Sequence, residues 1–244
     1  MITLAIDTSD ARGGVAVLED GAASVVKPHE DGSDYSAWLL SAVDAALAQA
    51  GTKMKQVELF AVSTGPGSFT GLRVGLAAVK AWAEVYAKNI VGVPRLEAIA
   101  HSRDVNSTFA ATCYDAQRDQ LFGGCYHYSS SGLERIGDEL VVSPADFVAF
   151  VDAQVGSPPV TWISLDPGQI QNLETWQRRI AAGDRLLASP HDLVSVIGRL
   201  AVERATQGQF SDPLTLDANY VRRSDAEIFW KSGPAGVRSP GGRR

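Results

Sequence analysis

The chain has 244 residues, 45% of them hydrophobic, and a formal net charge of −6. That length and apolar content describe a globular protein with a sizeable core, in one large domain or two modest ones. The negative charge argues against a broadly basic nucleic-acid surface, so any RNA contact is expected to be local or shared with another subunit.

The opening run Met1 to Asp7 has no basic n-region, is short for a signal peptide and contains an acid. No later run reaches membrane-spanning length, and the expected compartment is the cytoplasm. Ile2 to Asp7, Gly13 to Leu18 and Ala22 to Val26 read as a three-strand meander turned by Asp20-Gly21. Ser33 or Asp34 starts a helix running to about Ala50, with Leu39, Val43, Ala46, Leu47 and Ala50 on one stripe and Gly51 at its end. A strand from Glu58 to Val62 leads into a glycine-rich junction, followed by a helix from Thr70 to about Ala87, a strand from Ile90 to Val93 and a helical turn begun by Pro94.

A second strand-first unit follows, with strands Thr108 to Tyr114 and Gln120 to Tyr128 around an Asp115–Asp119 turn. Ser143-Pro144 starts a helix, Val160 to Leu165 reads as a strand, and Asp192 caps a last helix through Ala205. The order predicts two α/β halves of similar plan, 1–103 and 104–230, the last helix packing back on the first half. The stretch 231–244 is rich in Gly, Pro, Ser and Arg and reads as a disordered basic tail.

The junction Ser63-Thr64-Gly65-Pro66-Gly67-Ser68-Phe69-Thr70-Gly71-Leu72-Arg73-Val74-Gly75 is the most informative stretch. A strand passing into a helix exposes N–H groups to an anion, glycines permit close approach, and Ser68 or Thr70 supplies a capping hydroxyl. A plain structural turn and an anion or partner site are both open on spacing alone. No Gly-Lys-Ser/Thr ends the loop and Arg73 comes a turn later, which argues against a P-loop NTPase. Two cysteines, Cys113 and Cys125, and four scattered histidines show no metal-ligand spacing, and reduced thiols are the expected state. Ser63, Ser68 and His101 have no Gly-x-Ser-x-Gly elbow and no evident base pairing, so satisfied polar caps account for them better than a hydrolase set.

Ile6-Asp7-Thr8-Ser9, the Gly65–Gly75 junction, Tyr114-Asp115-Ala116-Gln117-Arg118 and Tyr220-Val221-Arg222 occur in an order that resembles the bacterial TsaB family, also called YeaZ. The resemblance implies an actin-like (sugar kinase/Hsp70/actin) α/β fold of two RNase H-like halves with mixed sheets. It further implies a scaffold role in threonylcarbamoylation of the adenosine next to the tRNA anticodon. The implied partners are the catalytic paralogue TsaD and the ATPase TsaE, with tRNA met through the complex, homodimerisation open for the isolated chain, and no membrane.

Residue by residue, the resemblance implies a chain without catalytic or metal-binding residues. Where TsaD-like proteins carry a His-x-x-x-His pair, this chain has Arg95 and Ile99, and its first phosphate loop reads Asp7-Thr8-Ser9 without the glycine of actin-like ATPases. Asp115-Ala116-Gln117-Arg118 lacks a glycine pair, and Ile163 to Gly168 is at best a remnant of an adenosine-binding turn. No cofactor is required, and weak ATP or ADP binding, placed at the complex interface, is left open at Asp7, Thr8, Ser9, Gly65, Gly67, Ser68, Thr70 and Gly71. The helix face Leu72, Gly75, Leu76, Ala78 and Val79, with Trp38 and Trp82 as aromatic anchors, is the candidate partner interface. The competing readings are an ATP-dependent kinase or ATPase of the same fold and, disfavoured, a peptidase.

Overall fold

A computed structural model describes residues 1–30, 32–105 and 107–221. The basic tail at 231–244, with Arg222 and Arg223, lies outside the described residues. The first half is β1 (Ile2–Asp7), β2 (Gly14–Glu19), β3 (Ala22–Pro28), α1 (Tyr35–Gln49), β4 (Leu59–Ser63), α2 (Phe69–Tyr86), β5 (Asn89–Val93) and α3 (Arg95–Ala100). The second is β6 (Phe109–Gln117), β7 (Gln120–Ser129), β8 (Gly132–Val142), α4 (Pro144–Val155), β9 (Val160–Ser164), α5 (Gly168–Gln171), α6 (Glu174–Ala181) and β10 (Arg185–Ala188), and α7 (Val194–Thr206) follows.

Each half contains a five-stranded mixed sheet, ordered β3-β2-β1-β4-β5 and β10-β9-β6-β7-β8. In the first, β1 pairs antiparallel with β2 and parallel with β4; in the second, β6 pairs antiparallel with β7 and parallel with β9. The repeated meander-then-crossover plan makes this an actin-like α/β architecture. Buried hydrophobes from β1, β4, α1 and α2 form one cluster, and those from β6, β9, α4 and α6 form another. A third cluster lies between the sheets, where α3 and α7 bring Leu96, Ile99, Ile197 and Ala201 together with Ala5, Ala16, Ala110 and Ile163. Gly198 lets α7 lie directly on the first sheet, because a Cβ there would stand 2.4 Å from a Leu18 methyl. Among the described residues no helix is long and apolar enough to cross a membrane.

Four elements are absent from the sequence reading: β8, β10, α5 and α6. β8 is largely solvent-facing along Gly132–Asp138, so its apolar alternation is weak, and pairing with β7 is what makes it a strand. The expected five-residue turn at 115–119 is shorter: β6 continues to Gln117, and Gln117, Arg118 and Asp119 all take left-handed φ of 64°, 59° and 56°. Asp34 stands at the N-cap of α1 but makes no side-chain capping bond. Asp192, expected as a cap, accepts from the Ser195 N–H at 3.2 Å. The two cysteines are buried and free, and in the β6–β7 register Cys125 faces Ala111 while Cys113 faces Gly123.

Candidate functional site: a cleft floored by a buried arginine

The cleft between the halves has a volume of about 610 Å³. Its walls come from the β1–β2 loop, the α1 entrance, the glycine-rich junction, β6 and Asn219 to Val221. Beneath it lies Arg95, the first residue of α3, fully buried. Its guanidinium donates to Asp7 Oδ2 at 2.8 Å, Ser9 Oγ at 2.7 Å and Asp10 Oδ2 at 3.2 Å. It also lies 5.0 Å from the Tyr114 ring centroid. The Ser9 N–H donates to Asp7 Oδ1 at 3.0 Å, and the Ser9 hydroxyl bonds the same oxygen. Asp7, a weak nucleotide-binding candidate in the sequence, is therefore the counterion of a buried guanidinium. In sequence Arg95 stands out only as a residue unable to bind metal. Its pairing with Asp7 depends on bringing residues 88 apart in sequence together.

The glycine-rich junction turns out to serve close packing. A Cβ on Gly67 would lie 2.1 Å from Ser9 O, one on Gly71 2.0 Å from Thr8 O, and one on Gly75 2.4 Å from Thr8 Oγ1. Three glycines spaced four apart thus press the junction and α2 onto the end of β1. The Ser68 N–H donates to Ser9 O at 2.7 Å, and the Ser68 hydroxyl accepts from Gly71 N–H at 3.2 Å. Gly65 and Pro66 are buried, the Gly65 carbonyl accepts from Arg95 N–H at 2.7 Å, and the Pro66 carbonyl accepts from the Tyr114 hydroxyl. Thr70 is exposed at the cleft wall. The Ser68 and Gly71 N–H groups are thus engaged within the chain, while Gly67 to Gly71 line the cleft wall; the spacing of 67, 71 and 75 is the signal of the close packing.

Arg95 and Ile99, which stand where TsaD-like proteins carry a His-x-x-x-His pair, are not metal ligands. Arg95 carries a charge of the wrong sign, and Ile99 is fully buried in the core between the sheets. Among the described residues no group of three His, Cys, Asp or Glu could hold a metal ion. The described lining of the cleft includes Asp10, Asp34 and Asp115 and no Lys or Arg. Arg12 is bonded to Asp10 and Asp166, and Arg73 lies 3.7 Å from the Phe69 ring centroid and donates to the Tyr220 hydroxyl at 3.1 Å. Ser63 bonds Ser9, Ser68 caps α2, and His101 ends α3, so each of the three has a structural use.

The candidate interface needs correcting. Leu72, Gly75, Leu76 and Val79 face the chain's own sheet, with Leu72 and Val79 at most 1% exposed, because the apolar stripe of α2 covers β1 and β4. Ala78, Trp38 and Trp82 are only partly buried: Trp38 sits edge-on to His29 with centroids 4.9 Å apart, and Trp82 lies against Phe60 at 6.0 Å. The outward face of α2 presents Ala77, Ala81 and Val85, and α1 adds Leu40; Val85 is 74% and Leu40 60% exposed.

Residues 22–162, over half of the chain, match the family described as TsaD: tRNA N6-adenosine threonylcarbamoyltransferase. The tRNA threonylcarbamoyladenosine biosynthesis protein TsaB of Bacillus subtilis is 25% identical over 234 residues, covering 94% of this chain and 98% of that one. A Pseudomonas aeruginosa structure described as similar to peptidase YEAZ superposes with a TM-score of 0.70 and 25% identity, covering 91% of this chain and 99% of that one. The ADPNP-bound activator of the 2-hydroxyisocaproyl-CoA dehydratase from Clostridium difficile, 8% identical at a TM-score of 0.51 over 86% and 97% of the chains, shares the fold alone. With motifs, two-sheet topology and full-length likeness in agreement, this chain belongs to the TsaB (YeaZ) family, a branch related to TsaD.

Proposed function

We propose that this chain is a non-catalytic scaffold subunit in tRNA threonylcarbamoyladenosine biosynthesis, pairing with a TsaD paralogue that carries the active site and working with a TsaE-type ATPase. The observation that carries the non-catalytic part is the buried Arg95–Asp7–Ser9 cluster. A guanidinium sits where a cation would otherwise meet Asp7, and both Asp7 carboxylate oxygens already accept hydrogen bonds from Arg95 and Ser9. The role in this modification pathway is supported by the relatives that bear its name.

The partner surface in this reading is the outward face of α1 and α2, where Leu40, Ala77, Ala81 and Val85 join the half-buried Trp38, Ala78 and Trp82. Small residues at Ala77 and Ala81 let a second helix approach closely, and the flanking Leu40 and Val85 supply apolar area. Any nucleotide contact belongs to the assembled complex rather than to the acidic cleft of this chain, and no cofactor is required.

Reconstitution tests the reading. Formation of threonylcarbamoyladenosine on tRNA is followed with this chain alone, with the partner subunits alone and with all together. Product is expected only from the full set. Val85→Glu is expected to lower both partner affinity and product, with an unchanged melting temperature. Product or stoichiometric ATP turnover from the isolated chain, lost on Asp7→Ala, would overturn it.

A further inference from the structure

The two halves are joined unequally. Between the sheets the join is apolar: α7 packs on the first sheet, α3 on the second, and the two helices meet in a shared cluster that includes Leu96, Ile99, Ile197 and Ala201. Beside the cleft walls formed by Asp10, Ala11 and Asp115 the join is polar and centres on Asp166. Asp166, between β9 and α5, accepts both Arg12 amino groups, at 2.9 and 3.1 Å, and the Asp115 N–H of β6 at 2.9 Å. Arg12 lies on the β1–β2 loop of the other half and is steadied by Asp10 Oδ2 at 3.0 Å. A planar guanidinium meeting a carboxylate through two parallel bonds fixes distance and angle together. Both side chains keep partial contact with water, at 26% and 29% exposure.

We propose that the Arg12–Asp166 pair is a latch that sets the opening of the cleft, with the apolar layer of α3 and α7 as its hinge. This goes beyond the scaffold reading and stands whether or not that reading holds. The physical reason is the difference between the two joins. A packed apolar layer resists separation but tolerates a small rotation, whereas a partly hydrated ion pair is screened by salt and can be broken without exposing core. The Tyr114 hydroxyl on the Pro66 carbonyl is a second, neutral clasp deeper in the same cleft. It limits how far the mouth can move once the latch is undone.

The test is a distance across the mouth. Nitroxide labels are placed at Asp34→Cys and Asp119→Cys, exposed positions one on each half, while the native thiols are buried. Double electron–electron resonance then compares the labelled chain with Asp166→Ala, Arg12→Ala and the double variant. Each single variant is expected to lengthen and broaden the distance distribution, and the double variant to add nothing further, as two halves of one interaction require. Raising salt should move the otherwise unaltered labelled chain in the same direction. An unchanged distribution in an Asp166→Ala chain that still unfolds cooperatively overturns the proposal. Should that variant fail to fold, Asp166→Asn, which keeps one acceptor oxygen, replaces it, and an unchanged distribution there is equally fatal.

Discussion

The Arg95 guanidinium meets the Asp7 carboxylate at 2.8 Å with side-chain exposures of 0% and 1%. Removing one member of such a pair leaves an uncompensated buried charge, which costs about 3–5 kcal/mol. Arg95→Ala is therefore expected to lower unfolding free energy by that amount in urea denaturation. The Asp7→Ala/Arg95→Ala double variant should cost clearly less than the sum of the single ones, since deleting both charges removes the stranded one. Additive losses would mean that the two residues are not energetically coupled.

The glycine spacing makes a second prediction, which separates backbone from side-chain crowding. Gly71→Ala places a methyl against the Thr8 carbonyl, which cannot move away, whereas Gly75→Ala places one against the Thr8 hydroxyl. Each should cost about 1–3 kcal/mol as overpacking. Adding Thr8→Ala should rescue Gly75→Ala substantially and Gly71→Ala hardly at all. Melting temperatures of the four variants check it, and equal rescue of both glycine variants would contradict the geometry.

A third prediction concerns pH. Glu139 on β8 is pushed up to about 7, chiefly by burial, with Arg135, the Tyr126 hydroxyl and Asn219 working against the rise and Glu97 adding to it. The folded chain then holds a proton that the unfolded chain, with its carboxyl near 4.5, has already released. Stability must fall as pH rises from about 4.5 to 7, by about 3 kcal/mol for this group, and level off above. Glu139→Gln is expected to remove that slope. A wild-type stability profile that rises across this window, with Glu139→Gln parallel to it, would place the carboxyl elsewhere.

Thiol reactivity supplies a fourth. Cys113 is pushed up to about 12 and Cys125 to about 11, both by burial foremost. Neither should react with a thiol-specific disulfide reagent near neutral pH in the native chain, and both should react at once in denaturant. Rapid titration of either native thiol would show that β6 or β7 opens locally.

Local chemistry along the chain determined much of this molecule. Ser68 and Ser143 cap the helices they were expected to cap, Asp20-Gly21 turns the first hairpin, and Gly51 closes α1 with φ of 65°. These features depend on neighbours within four residues, which is why they can be read from sequence. Family likeness is equally legible, since its motifs are short contiguous strings. The tertiary structure decided the rest. Periodicity revealed that α2 has an apolar stripe but not what covers it, and the chain's own sheet took Leu72, Leu76 and Val79. Arg95, Arg12 and Glu139 each also have a distant partner, Asp7, Asp166 and Asn219, which lie 80 or more residues away in sequence. Such pairs are chosen by which strand ends a fold brings side by side, and no local pattern records that choice.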